Sequence, residues 1–186
     1  MTIADMMTLS RFFFAAGILI FLNLDGGWPK SAAVACFVLA SLTDFWDGRV
    51  ARMRNEVTAW GKLMDPIADK VLVFSVFIAF VGIGVMPAWM LVAMLSREIL
   101  ITGVRLYAAS QARVIAATRS GKHKTFTQMF AAILVLFYLA VREAEFWTPQ
   151  AEAISLQIIH WSLMAAVILT LYSGFKFFVN NRSIFK

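Results

Sequence analysis

The 186-residue chain holds one cysteine, two histidines and four prolines, and each scarcity closes off a class of protein. A lone thiol, Cys36, cannot form an internal disulfide; set in an apolar run, it reads as a small buried side chain. His123 and His160 are far in sequence from the main acidic stretch, which argues against a zinc centre there. His160 is expected to hydrogen-bond within a helical bundle, and His123 belongs to a basic cluster. No low-complexity tract, internal repeat or second domain is visible, so residues 1–186 read as a single domain. No basic segment precedes the first apolar run and no Ala-x-Ala site follows it, so a cleavable signal is not expected. Charge is scarce as well: Asp, Glu, Lys and Arg make up 15% of the chain against 61% hydrophobic residues. With a mean hydropathy of +0.76, the chain is too apolar for an ordinary soluble domain. Nucleic acid is not expected among its partners.

What is there is a series of apolar runs that approach or exceed the roughly 18 residues a helix needs to cross a bilayer. They cover about 10–24, 31–54, 60–81, 88–107 and 126–141, and a last run ends near 179. The expected fold class is an all-α polytopic membrane protein with six transmembrane helices. Asp25 to Pro29 and Gly82 to Pro87 read as tight turns, Asn55 to Thr58 and residues 142–152 as polar ones, and residues 113–124 as a longer basic connection. Pro66 falls in the first turns of the third run, where proline is tolerated. Trp28, Trp89, Trp147 and Trp161, near run ends, suit an interfacial belt.

The net charge of +6 is unevenly spread. Arg49, Arg52, Arg54 and Lys62 fall between the second and third runs. Arg105, Arg113, Arg119, Lys122 and Lys124 fall between the fourth and fifth, and Lys176, Arg182 and Lys186 near the end. The other side has Lys30 and Arg142 in its short connections. The positive-inside rule then predicts an inner-membrane protein with both termini and the 44–69 stretch on the cytoplasmic side.

That stretch carries Asp44, Asp47, Asp65 and Asp69 at helical spacing, in or beside apolar runs. Asp44 and Asp47 are three apart; Gly61, Asp65 and Asp69 are each four apart, so two helix faces are acidic and small-residued. A solvated turn would account for Arg49, Arg54, Asn55 and Glu56 but not for the aspartates, since a carboxylate at membrane depth costs at least roughly 2.5 kcal/mol. Four of them repel one another unless cations neutralise them, and hard divalent ions with oxygen ligands, Mg²⁺ or Mn²⁺, are the natural choice. Two such ions recur in phosphoryl displacement. Arg52 and the nearby glycines suit a phosphate-bearing ligand that approaches the backbone closely.

The spacing D-x2-D-G-x2-A-R-x8-G-x3-D-x3-D, here Asp44, Asp47, Gly48, Ala51, Arg52, Gly61, Asp65 and Asp69, resembles the signature of the CDP-alcohol phosphotransferase family at every defined position. Thr8-Leu9-Ser10-Arg11 is similar to the family's T-x-x-R entry to the first span, with Ala4-Asp5 where Pro-Asn is common. The resemblance implies the family's six-span membrane fold, a homodimer, and transfer of a substituted phosphate from a CDP-linked lipid or alcohol to a hydroxyl, with release of CMP. It implies that Asp44, Asp47, Asp65 and Asp69 hold two Mg²⁺ or Mn²⁺ ions and that Asp69 is also the general base. Asp44, Gly48, Ala51, Arg52 and Gly61 would then contact the CDP-lipid.

For the acceptor, Ser96-Arg97-Glu98-Ile99-Leu100-Ile101 leading to Arg105, and Gly121-Lys122-His123-Lys124-Thr125 before Gln128, resemble the members that join CDP-diacylglycerol to sn-glycerol 3-phosphate. A phosphorylated acceptor needs its own cationic pocket, and Arg97 and Arg105, eight apart, share a helix face, with Lys122 and Lys124 able to complete it. The plainer reading of these four is membrane topology and contact with anionic lipid headgroups. Phosphatidylserine, inositol-phosphate lipid or cardiolipin synthesis stands as the alternative within the family. A cation transporter stands outside it, although a cation path has no need of Arg52 beside its carboxylates.

Overall fold

Glycine and threonine punctuate the apolar runs where the backbone needs them. A computed structural model of the chain describes the backbone of residues 3–54, 59–111, 119–142 and 148–182; within these, the side chains of 3–7, 44–54, 59–63, 65, 66 and 119–123 lie outside the description. Among the described residues there are six α-helices and no strand: α1 (Ile3–Asn23), α2 (Gly27–Arg54), α3 (Ala59–Gly82), α4 (Ala88–Ser110), α5 (Arg119–Val141) and α6 (Pro149–Asn180). Gly26 at φ 100° and Gly84 at φ 77° turn the chain after α1 and α3, in a left-handed conformation that a Cβ would strain. At the end of α3 the Val85 amide donates to the Phe80 carbonyl at 3.0 Å and that of Gly84 to Val81 at 3.1 Å, a Schellman closure. α6 starts on Thr148, whose hydroxyl accepts from the Ala151 amide at 3.2 Å, with Pro149 at the first helical position.

All six expected helices form, and four begin earlier than hydropathy suggests. α1 starts at Ile3, α2 at Gly27, inside the stretch expected as a turn, α5 at Arg119 and α6 at Pro149. Helical pairing does not stop where the apolar run stops, so Lys122 and Lys124 belong to α5 and not to a connection. Pro66 lies well inside α3, where its missing N–H leaves the Lys62 carbonyl without the usual helical donor. The 55–58 turn, the 112–118 connection and the turn containing Trp147 fall outside the described residues. Two single-residue expectations change. Cys36 is only partly buried, lying in α2 opposite Gly17 of α1. His160 is exposed on α6 and packs edge-on against Trp161, with ring centres 5.9 Å apart, instead of bonding inside the bundle.

α1 packs on α2 and α3, α5 on α2 and α6, and α4 chiefly on α6. The core between them is aliphatic and aromatic, with Ile18, Leu22, Phe37, Phe77, Phe80, Met90, Leu136 and Leu163 fully buried. Among the described residues the buried charged side chains, Arg11, Arg97 and Lys124, lie towards one end of this core. There the starts of α1, α3 and α5 meet the later halves of α4 and α6: Arg11 reaches Asp69, Lys70 reaches Thr102, and Gln128 reaches Thr170. Since α2 ends four residues before α3 begins, its aspartate-bearing end lies at the same level.

Two helices carry long uninterrupted apolar stretches among the described residues, Lys124–Val141 and Pro149–Asn180. α1 has a shorter one, Thr8–Asn23. In α3 and α4 the runs are interrupted by Asp65, Asp69 and Lys70 and by Arg97, Glu98 and Arg105. Large apolar side chains nonetheless face outward from every helix, among them Phe13, Leu39, Ile78, Leu100, Phe137 and Phe175. Only 28% of α6 is buried, which is not the pattern of a soluble protein's core helix.

Candidate active site

The sequence-predicted residues lie on four helices in two groups, and one residue of each, Asp69 and Lys124, lines a common cavity. In the first group, Asp44, Asp47, Gly48, Ala51 and Arg52 lie on the last turns of α2, and Gly61 and Asp65 on the first turns of α3, all in continuous helix. Their side chains lie outside the described set. Asp69, one turn further along α3, is half exposed and accepts a hydrogen bond from the Nη1 of Arg11, which is itself buried in α1. Among the described residues no group of three or more His, Cys, Asp or Glu side chains comes together, and Asp69 is the one motif aspartate whose side chain is described. The donor set fits a hard divalent cation: carboxylates only, at helical spacing, the visible one already engaged by positive charge.

The second group is cationic. Arg97 is buried in α4; its Nη2 donates to Ser173 Oγ at 2.9 Å and its Nη1 to Glu98 Oε1 at 2.6 Å. The side chain lies directly over Gly174 of α6, where an added Cβ would come within 2.9 Å of Arg97 Cγ. Lys124 is buried near the start of α5 and donates to the same Glu98 oxygen. Arg105 is exposed at the α4 surface and rests over the Phe177 ring, 5.6 Å from its centre. Lys70, which sequence reasoning did not single out, donates to Thr102 at 2.5 Å. Lys70 lies within electrostatic reach of Arg97, Arg105 and Lys124, and Arg97 within reach of Arg105 and Lys124. Lys122 is on the same helix as Lys124, with its side chain outside the description. Two of these cations, Arg97 and Lys124, share one carboxylate, with Lys70 and Arg105 within electrostatic reach of Arg97, an arrangement suited to a phosphate dianion.

An open cavity of about 220 Å³ is lined by Asp69, Lys70, Val73, Phe74, Glu98, Lys124, Thr125 and Gln128. A second, almost wholly apolar groove of about 400 Å³ runs between α3 and α4 past Ile67, Val71, Leu95, Ile99 and Leu106. Lys70, Phe74 and Glu98 line both, so a ligand that is part hydrocarbon and part phosphate can lie across the junction. Besides Lys70, sequence reasoning missed Arg11 as the partner of Asp69, Glu98 as the link between Arg97 and Lys124, and Gly174 beneath Arg97. Arg11 and Glu98 sit in stretches it had quoted; Gly174 was signalled only as a glycine beside a serine in an apolar helix.

Comparison with known proteins places the chain in a family. The model of the CDP-alcohol phosphatidyltransferase family matches residues 1–174, and members of that family generally use a divalent metal ion. A CDP-diacylglycerol–glycerol-3-phosphate 3-phosphatidyltransferase of Bacillus subtilis is 37% identical over 150 residues, 81% of this chain and 73% of the relative. Proteins of the same name are similar from Rickettsia typhi, 33% identical over 96% of both chains, and from Cereibacter sphaeroides, 31% identical over 83% of this chain and 75% of the relative.

Proposed function

Because the chain belongs to the CDP-alcohol phosphatidyltransferase family, we propose that it transfers the phosphatidyl group of CDP-diacylglycerol to sn-glycerol 3-phosphate, giving phosphatidylglycerophosphate and CMP. One observation carries the reading beyond the family: Asp69 and Lys124 line the same cavity, with Arg97 joined to Lys124 through Glu98. A small hydroxylated phosphate entering that cavity meets cations for its phosphate and a carboxylate for its hydroxyl.

The acceptor phosphate is held by Lys124, Arg97 and Arg105, with Lys122 and Lys70 beside them. Its terminal hydroxyl gives its proton to Asp69, and its oxygen attacks the phosphorus that bears the diacylglycerol. The bond from that phosphorus to the bridging oxygen breaks, and CMP leaves. Arg11 fixes the Asp69 carboxylate from its buried side, so the base is oriented before the acceptor arrives. Asp44, Gly48, Ala51, Arg52 and Gly61 form the pocket for the CDP-lipid. Asp44, Asp47, Asp65 and Asp69 would hold two Mg²⁺ or Mn²⁺ ions, which when bound supply charge neutralisation for the diphosphate and the departing CMP.

The protein works as a homodimer of single-domain, six-span chains in the cytoplasmic membrane, with termini and active site facing the cytoplasm. Helix length supports the six spans: at 1.5 Å per residue even α1, with 21 residues, spans about 31 Å, the thickness of the hydrocarbon core. The charges that interrupt α3 and α4 are those of the site, placed where a lipid headgroup and a soluble acceptor both arrive.

The test is CMP release from CDP-diacylglycerol by membranes containing the protein, with Mg²⁺ or Mn²⁺ and one acceptor at a time. Release dependent on glycerol 3-phosphate is expected. Release only with serine, inositol phosphate or phosphatidylglycerol overturns the acceptor assignment.

A further inference from the structure

Glu98 is out of place in a site for a phosphate. It sits among Lys70, Arg97 and Lys124, and its carboxylate competes with any phosphate for Arg97 and Lys124. A carboxylate kept inside an anion site must return something for that competition. Its bonding is one-sided. Oε1 accepts from both Arg97 and Lys124, while among the described residues Oε2 takes no hydrogen bond. The side chain is 12% exposed, and Oε2 is not among the sealed-off polar atoms without partners. Glu98 lines the same cavity as Asp69. The carboxylate is therefore clamped in orientation by one oxygen, and its other oxygen takes no hydrogen bond among the described residues.

We propose that Glu98 is the residue that selects a polyol phosphate: its Oε2 accepts a hydrogen bond from the hydroxyl of the acceptor that does not react. This rests on the reading above, in which the acceptor is sn-glycerol 3-phosphate, a molecule with one hydroxyl to attack and a second on the adjacent carbon. The cations fix the phosphate end, Glu98 fixes the middle hydroxyl, and the terminal hydroxyl is left for Asp69. A phosphate with a terminal hydroxyl alone keeps the contacts to the cations and to Asp69 and leaves Oε2 unpaired. The same contact discriminates against acceptors that present a cation or an apolar carbon at that position.

The experiment compares sn-glycerol 3-phosphate with 3-hydroxypropyl phosphate, which lacks the middle hydroxyl, as acceptors for the full-length protein and for Glu98→Gln and Glu98→Ala. For the unaltered protein the ratio of kcat/KM should favour glycerol 3-phosphate by about 10- to 100-fold, the range of a hydrogen bond to a charged group. The ratio should fall in Glu98→Gln, whose amide oxygen is a neutral acceptor, and approach unity in Glu98→Ala. Because each ratio is taken within one protein, partial loss of folded material cancels, and the isosteric Glu98→Gln carries the test should Glu98→Ala not fold. Equal use of the two phosphates by the unaltered protein overturns the proposal. So does an equal loss on both in the variants, which would leave Glu98 only as the counter-ion of Arg97 and Lys124. Calorimetric binding of the two phosphates to the purified protein is the second measurement. A binding preference that depends on Glu98 without CMP release would sink the proposed reaction and keep the assignment, whereas turnover without that preference would do the reverse.

Discussion

The two ends of the helical bundle use the same residue types for opposite purposes. At the Gly84 end, Arg142 donates to Glu152 at 3.5 Å with side chains 46% and 39% exposed, and Tyr138 reaches the same carboxylate at 3.1 Å. Lys30 donates to the Leu22 carbonyl at 2.9 Å, satisfying a helix end. These contacts close connections near the surface. At the other end Arg97, Glu98 and Lys124 are 9%, 12% and 9% exposed, and Arg11 is 1% exposed against Asp69. Exposed pairs of the first kind contribute about 0–1 kcal/mol, whereas desolvating ions costs several kcal/mol each before any pairing recovers it. An arrangement of the second kind is poor value as stability alone. Its retention in a chain this apolar is the physical argument that the second end is where chemistry happens.

The sharpest way to break the contrast is at Asp69. Asp69→Asn keeps the shape of the side chain but removes the base, and kcat should fall by about 10²–10⁴-fold. CDP-lipid binding, followed as the apparent KM for CDP-diacylglycerol, should change little. An equal loss of binding would make Asp69 chiefly a metal ligand and take the base assignment away. Next in size is Arg105→Ala. Arg105 is exposed and rests on Phe177, so its removal leaves no unpaired charge inside the bundle. The KM for glycerol 3-phosphate should rise about tenfold, the scale of one charge-assisted bond to phosphate, with that for the CDP-lipid nearly unchanged. A parallel rise in both would mean that Arg105 serves the lipid headgroup region and not the acceptor.

A smaller effect is expected from Gly174→Ala, which tests whether α6 belongs to the site. The added methyl would sit 2.9 Å from Arg97 Cγ, and relieving such overpacking typically costs about 1–3 kcal/mol or a displaced side chain. Arg97 would be pushed off Ser173, raising the acceptor KM about three- to fivefold while leaving kcat close to its original value. A change in thermal stability without any change in KM would show that Gly174 is needed for packing alone.

Gly174 also marks the limit of what local sequence can reveal. The six helices were legible because the signals that separate them are local: Gly26 and Gly84 at the reversals, and apolar runs of near-uniform length. The proposed metal and nucleotide half of the site is a pattern of the same local kind, since Asp44 to Asp69 is a spacing within two neighbouring helices. Arg97, Arg105 and Lys124 were visible as cations that could hold an acceptor phosphate, beside the plainer reading of membrane topology. Their partners were not. Arg11 meets Asp69 across 58 positions, Lys124 meets Glu98 across 26 and Arg97 meets Ser173 across 76. No periodicity within one helix encodes such pairings; they follow from which helices pack together. His160 fails in the opposite direction. A histidine in an apolar helix invites a buried role, and only the packing of α6 shows that its face is turned outward.

The least consequential change, and the control for all the others, is Arg142→Ala. It removes a charge from the Gly84 end of the bundle, along with its contacts to Glu152 and its position 5.7 Å from the centre of the Tyr138 ring. Tyr138 keeps its own hydrogen bond to Glu152, so the connection between α5 and α6 retains one tie. Stability should fall by less than about 1 kcal/mol, read as a small shift in the thermal unfolding of the detergent-solubilised protein, and CMP release should stay within about twofold of the original, since a change of RT ln 2 is well under that bound. The value of the measurement lies in its sign relative to Gly174→Ala. Both changes are conservative, yet only the one beneath Arg97 should reach the acceptor KM. If removing Arg142 shifted that KM as well, the charge of the whole bundle, and not the buried cluster at one end, would be setting acceptor affinity.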